Sequence, residues 1–274
     1  MSENHDGPEE LVVGTAVVKD RQPALQGTDI SVRFGGVHAV SHVAFGLEDG
    51  MIHGLIGPNG AGKTTLFDAL SGVTRVTSGR VLLHGRDVTR VSVARRARRG
   101  IRRTFQRQQT FGWLSVEDNL LVAMEWKGGG GGVAADIVRW PARMRLEAQR
   151  RKRVAAVLEM CGIGNQRNAP IGSLSIGESR LVEIGRAIVD DPTVLLLDEP
   201  TSGLQDAEVE RVGVLINQIV AETSCAVGLV EHDVGFVMGI CDEITVLNLG
   251  SIIAHGTPHE IQQSTIVMEA YLGV

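Results

Sequence analysis

The sequence predicts an α/β fold built on a mainly parallel central sheet. Three observations carry that expectation. Continuous Val/Leu/Ile runs of strand length recur along the chain, as in "MIHGLIG" (51–57) and "TVLLLDE" (193–199). Strands covered on both faces read this way, whereas half-exposed strands alternate apolar with polar residues. Segments of helical pattern such as "DAEVERVGVLINQIVAE" (206–222) stand between the runs, as parallel crossover connections require. The chain of 274 residues, 43% hydrophobic and 22% charged, is long enough to bury a sizeable core in one large domain or two small ones.

The elements follow in order. Residues 1–24 read as a flexible tail, and its start, "MSENHDGPEE", lacks the basic and apolar regions of a secretory signal. The folded unit is expected over 25–274. "MIHGLIG" is a buried strand and "GKTTLFDALSG" the helix after it; "GRVLLHG" (79–85) and "IRRTFQ" (101–106) are further strands. From about 111 to 190 the pattern is mostly helical and reads as an inserted helical subdomain. Five glycines (128–132) interrupt it. Each costs a helix about 1 kcal/mol relative to alanine, so the run reads as a flexible loop. "TVLLLDE", "CAVGLVE" (225–231) and "EITVLNLG" (243–250) are the last strands.

The totals exclude some functions. A net charge of −5 and a sequence pI of about 5.9 argue against a dedicated nucleic-acid binder. Two basic clusters, "RVSVARRARRGIRR" (90–103) and "RMRLEAQRRKR" (143–153), read as solvated helix faces rather than nucleic-acid or lipid sites. Cys161, Cys225 and Cys241 are far apart and odd in number, so buried reduced thiols are expected. No stretch reaches the roughly 18 apolar residues of a membrane span, so a membrane link must run through a partner or a surface contact.

"GPNGAGKT" (57–64) matches G-x-x-x-x-G-K-[ST] at every fixed position, after a predicted strand and at the start of a predicted helix. Gly57, Pro58, Asn59, Gly60, Ala61 and Gly62 let the backbone wrap phosphates with N–H groups inward. The helix N-terminus adds partial positive charge. Lys63 neutralises β- and γ-phosphates, the Thr64 hydroxyl can ligate Mg²⁺, and Thr65 completes the set. In "VLLLDEP" (194–200), Asp198 ends a buried strand and can hold Mg²⁺ through water, while Glu199 can polarise a water for attack.

Further residues stand in order around these motifs. Phe34 lies 29 residues before Lys63, Gln106 ends "RTFQ", "LSIGE" stands 20 residues before "LLLDEP", and His232 follows "CAVGLVE" in "EHD". In this order the chain, from about Gln26 to its end, resembles the ATP-binding cassette of ABC transporters. "RFGGVHAV", "LSVEDNLLVAM" and "VLNLGSIIAHGTPHEI…EAYLG" are similar, more narrowly, to ATPase subunits of branched-chain amino-acid importers.

The resemblance implies a P-loop NTPase fold: a RecA-like core with an antiparallel β subdomain and an inserted helical subdomain. It implies ATP and Mg²⁺ as ligands. Phe34 would stack on adenine, and Gln106 would approach the metal and the attacking water where the cassette meets the membrane partner. Thr64, Gln106 and Asp198 would hold Mg²⁺, Glu199 would be the base, and His232 would contact the γ-phosphate. Ser175, Gly177 and Glu178 would belong to a signature acting on ATP held by a second cassette. Further implied partners are permease subunits and, through them, a solute-binding protein, with the chain peripheral on the cytoplasmic membrane face. An exporter or lipid-transport cassette, or a non-transport ABC ATPase acting on nucleic acid, are the alternatives.

The residues also stand on their own. Ser175-Ile-Gly-Glu178 is an S-x-x-E capping box at a helix start, and a capped helix N-terminus presents free N–H groups to an anion. The family's usual LSGGQ has Ile176 and Glu178 here. A carboxylate facing phosphate is repulsive, so Glu178 is expected to turn back to its own cap. The family's SALD loop reads "SGLQ" (202–205), with Gln205 in place of aspartate.

Overall fold

In a computed structural model, the described residues are 22–106, 109–125 and 140–272. The glycine run and all but the last three residues of the expected tail lie outside them. Ala24 is already buried, so the folded unit starts just before the expected boundary.

The chain runs β1 (Leu25–Phe34), β2 (Val37–Leu47), β3 (Ile52–Ile56), α1 (Lys63–Ser71), β4 (Ser78–Leu83), β5 (Arg86–Asp87), α2 (Val93–Arg98), β6 (Ile101–Arg103) and α3 (Val116–Ala123). It continues through α4 (Trp140–Met160), α5 (Ile176–Ile188), β7 (Val194–Asp198), α6 (Asp206–Thr223), β8 (Ala226–Val230), α7 (Val234–Ile240), β9 (Glu243–Asn248), β10 (Ser251–Gly256), α8 (Pro258–Gln262) and α9 (Thr265–Leu272).

Two sheets form. The six-stranded one has the order β10-β9-β3-β8-β7-β6. It is parallel from β9 to β6, and β10 closes its edge antiparallel to β9. The second sheet, β2-β1-β4-β5, is antiparallel. The α/β class is as the sequence predicts. "GRVLLHG", however, pairs with β1 outside the parallel sheet; a strand's own apolar run does not specify its partner.

The period of two explains the buried runs of the parallel sheet. In β7, Leu195 and Leu197 enter one apolar cluster with α3–α7 and their connections. Val194 and Leu196 enter the other, with α1 and the antiparallel sheet. β8 divides likewise, Val227 and Leu229 against Ala226 and Val230. Both faces are covered, so the strand reads as one continuous run. Val116, Leu120, Val154, Val157 and Ile184 of the helical segment share the first cluster with the sheet.

Most of the basic residues lie on solvated faces as expected, with Arg90, Arg95, Arg98, Arg99, Arg145, Arg151 and Lys152 exposed, but a few turn inward. Arg96 is buried and donates to the carbonyls of Ala69, Leu70, Thr89 and Val91. Arg102 and Arg103 also turn inward, to Asp190 and to Asp68 and Asp198. In the second cluster Arg153 reaches the end of α5, donating to the carbonyls of Ile188 and Val189, where a cation suits the helix C-terminus. A guanidinium enters a core when its donors find fixed acceptors, which composition does not reveal. The three cysteines are free and buried, and burial pushes each thiol up to about 12.

Candidate active site

The carboxyl ends of β3, β6, β7 and β8 lie along one edge of the parallel sheet, where open α/β sheets bind their ligands. The sequence-predicted loop leaves β3 there. Gly57 has φ 151°, and a Cβ on it would lie 2.0 Å from the Leu247 carbonyl oxygen. Gly62 has φ 104°, and its Cβ would meet the Ala39 carbonyl oxygen at 2.3 Å. Backbone meets backbone at both points, so only glycine fits.

Gly62 caps α1 without a side-chain hydrogen bond, which leaves the first N–H groups of the helix for an anion. The side chain of Lys63 folds over the loop, its Nζ 2.7 Å from the Gly57 oxygen and 3.0 Å from that of Pro58. Desolvation lowers its pKa, against the pull of Glu199 and Asp198. Those two acids are therefore close enough for their charge to be felt by the lysine. Thr64 is exposed and Thr65 half-buried on the first turn.

Asp198 ends β7, and its side chain is almost fully buried. Its Oδ2 accepts from Arg103 Nη2 at 2.8 Å, while Oδ1 has no hydrogen-bond partner. Burial raises its pKa, opposed by the Arg103 guanidinium. The buried Asp198 carboxylate keeps one oxygen without a hydrogen-bond partner, and Thr64 is exposed on the first turn of α1; oxygen donors of this kind suit Mg²⁺, so the residues fit that ion.

Glu199 adopts φ 50°, a left-handed conformation uncommon outside glycine and asparagine. Its N–H still reaches the Val230 oxygen at 2.8 Å, and its Oε1 lies 2.6 Å from His232 Nε2. Parallel pairing of β7 with β8 brings these residues together from 33 positions apart. Glu231, buried, accepts at Oε1 from the N–H and hydroxyl of Thr201 at 2.8 and 2.6 Å. Its Oε2 accepts from the His232 N–H at 3.0 Å. It thus ties the turn after Glu199 to the histidine.

The remaining predicted residues lie apart. Gln106 is exposed. It does not end a strand: β6 stops at Arg103, and Thr104 adds one last ladder bond to Leu196 before the chain leaves the sheet. Phe34 ends β1 at 54% exposure, outside the core and open to a stacking partner. Ser175 caps α5: its hydroxyl accepts from the Glu178 N–H at 3.1 Å, and Glu178 Oε2 accepts from the Ser175 N–H at 2.9 Å. Glu178 Oε1 accepts from Gln166. The carboxylate turns back on its own cap. Gly177 is buried against Glu208, whose Oε1 would be 2.2 Å from a Cβ there. Among the described residues no hydrogen bond joins this helix start to the phosphate loop.

Sequence reading missed Arg103, Asp68 and Glu231. The signals were faint: an arginine inside a buried strand, and an acid directly before "HD".

A glycine loop cradling a helix N-terminus, a lysine over it, and an Asp-Glu pair with a histidine at the next strand ends define a P-loop ATPase. Residues 40–202 match the family model of the ABC transporter, and 251–274 match that of the branched-chain amino acid ATP-binding cassette transporter. The chain belongs to the ABC transporter family. It is 38% identical, over 92% of its length and 98% of the relative's, to the high-affinity branched-chain amino acid transport ATP-binding protein LivG of Salmonella typhimurium. The corresponding protein BraF of Pseudomonas aeruginosa is 36% identical over the same share of this chain and 98% of its own. The lipopolysaccharide export system ATP-binding protein LptB of Escherichia coli is 32% identical over 91% of this chain and 97% of its own. A nucleotide-free ATP-binding cassette from an ABC transporter superposes with a TM-score of 0.79 at 27% identity, over 92% of this chain and all of that one. An ADP-bound cassette does so with 0.79 at 26%, over 93% and all of that chain. The chain is an ABC ATPase, and its ligand is a nucleotide.

Proposed function

We propose that this ATPase powers an importer of branched-chain amino acids or a related small polar solute. The observation that carries the reading is the match of the C-terminal 251–274 to the branched-chain family model, beyond the part common to cassettes in general.

The residue roles proposed here are those the family resemblance implies, and the geometry around the phosphate loop, Asp198 and Glu199 supports them. The loop Gly57–Gly62 and the start of α1 wrap the phosphates of ATP, with Lys63, Thr64 and Thr65 at the helix start. Phe34 stacks on the adenine. Thr64, Gln106 and Asp198 would hold Mg²⁺, which would supply charge neutralisation at the β- and γ-phosphates. Glu199 accepts a proton as water attacks the γ-phosphorus and the bond to the ADP oxygen breaks. His232, hydrogen-bonded to Glu199 through Nε2, orients that carboxylate and contacts the γ-phosphate. Ser175 and Gly177 at the start of α5 meet the nucleotide of a second cassette, so each site is complete only in the dimer. In this reading the chain attaches peripherally, through permease subunits at the cytoplasmic face; among the described residues no helix is long and apolar enough to cross a bilayer. Trp113, 80% exposed and edge-on to Phe111, offers an apolar contact to the permease shortly after Gln106.

Co-expression with candidate permease subunits, reconstitution in vesicles and addition of a solute-binding protein tests the reading. ATP-dependent uptake of labelled leucine, isoleucine or valine is the expected result. Hydrolysis with no uptake of these or other small polar solutes, but with extraction of lipid, would move the chain to the export class of its LptB relative.

A further inference from the structure

Arg103 stands where strand alternation gives it a different task from its neighbour. Arg102 points to Asp190, and Arg103 points to the α1 side. Its guanidinium, 4% exposed, donates through Nη2 to Asp198 Oδ2 at 2.8 Å and through Nη1 to Asp68 Oδ1 at 2.5 Å. Nη1 also lies 3.3 Å from the Ser71 hydroxyl. The group rests 5.2 Å from the Phe105 ring centroid and 6.0 Å from that of Phe67, contacts that favour a cation. One planar fork therefore joins α1, β6 and β7 directly behind the phosphate loop.

We propose that Arg103 is a positioning residue for the metal-holding carboxylate: it grips Asp198 by Oδ2, fixes the carboxylate plane against α1, and leaves Oδ1 free for the cation. This rests on the reading of Asp198 as a Mg²⁺-holding residue. The asymmetry of Asp198 supports it, with one oxygen bonded and the other buried without a partner. So does the charge balance, because Asp68 and Glu199 both push against the Asp198 carboxylate, and the Arg103 guanidinium offsets them directly while Lys63 acts from the phosphate loop. A rigid guanidinium can hold two carboxylates in fixed directions, and an ammonium cannot. Loss of a partner that orients a metal ligand typically weakens metal affinity by about 10–100-fold.

The test uses the full chain with a non-hydrolysable ATP analogue. Nucleotide affinity is measured by calorimetry in EDTA, and Mn²⁺ affinity of the nucleotide complex by electron paramagnetic resonance. In Arg103→Met, affinity in EDTA stays near wild type while Mn²⁺ binding weakens by about tenfold or more. Arg103→Lys recovers part of that loss, and Asp68→Ala, which removes the acceptor on one side of the fork, loses less than Arg103→Met. Unchanged Mn²⁺ affinity in Arg103→Met, with only a lower melting temperature, would overturn the proposal. If that variant does not fold, wild-type Mn²⁺ affinity in both Arg103→Lys and Asp68→Ala overturns it. Asp198→Asn separates the two readings: unchanged Mn²⁺ affinity there sinks the metal role of Asp198 and the proposal together, whereas loss there with none at position 103 sinks the proposal alone.

Discussion

Lys63 illustrates how a single side chain carries both loop structure and ligand chemistry. Its ammonium closes the phosphate loop through two carbonyls and, in the proposed role, would be the main counter-charge to the phosphates. Lys63→Ala is expected to abolish tight nucleotide binding, and near-wild-type MgATP affinity by calorimetry would contradict the assignment. His53 is a residue of another kind. It is buried on β3, with Nε2 2.8 Å from Thr245 Oγ1, its ring against those of Phe45 and His255, and Nδ1 3.9 Å from Glu243. Burial first, and the neighbouring His255 second, lower its pKa from 6.5 to about 3. The folded state then refuses a proton that the unfolded state takes up below pH 6.5. Stability is therefore fully present above that pH and is lost as the pH falls towards 3. At pH 5 the loss from this group is about 2 kcal/mol. His53→Gln keeps a hydrogen-bonding group without the titration, and its melting temperature should fall less between pH 7 and pH 5. Equal slopes for both proteins would show that another group is responsible.

At the scale of the element, α5 joins a local signal to a distant task. Its capping box forms within four residues, so Ser175→Ala should cost about 1 kcal/mol of stability. The proposed cross-dimer role adds a second effect: hydrolysis by the assembled dimer falls while ATP binding by the isolated subunit holds. A lower melting temperature with normal activity per folded molecule would leave only the cap. Glu178→Gln should hold stability. Glutamine also serves in the box, and the unpaired Oε1 of Gln166 can turn to accept from the new amide. A loss of more than about 1 kcal/mol by thermal melting would show that the charge itself matters to the cap.

For the whole molecule, the arrangement of the sheet decides what the site can do. Four strand ends that carry site residues lie along one edge, while among the described residues the α5 start is hydrogen-bonded to its own cap and to Gln166; the proposed function gives completion of the site to a second cassette. Glu199→Gln keeps the shape of the side chain and removes the base. It should bind ATP, turn over very slowly, and accumulate an ATP-bound dimer, with itself or with a homologous cassette. Scattering or gel filtration with ATP checks the dimer, and unchanged steady-state hydrolysis would point to a different base.

What the sequence by itself determined was short in range. The glycines and lysine of the phosphate loop, the capping box of α5 and the continuous apolar strands each follow from residues within a few positions of one another. Such signals survive because i→i+3 bonds and strand period are local properties. Only the tertiary structure decided that "GRVLLHG" joins the antiparallel sheet, since pairing depends on a partner 50 or more residues away. Only it brought His232 to Glu199 and turned Arg96 and Arg103 from a basic run into buried clamps. For the charged residues the physical reason is the same. A charge in a run reads as solvated until folding supplies fixed acceptors that replace its water, and those acceptors come from other strands and helices.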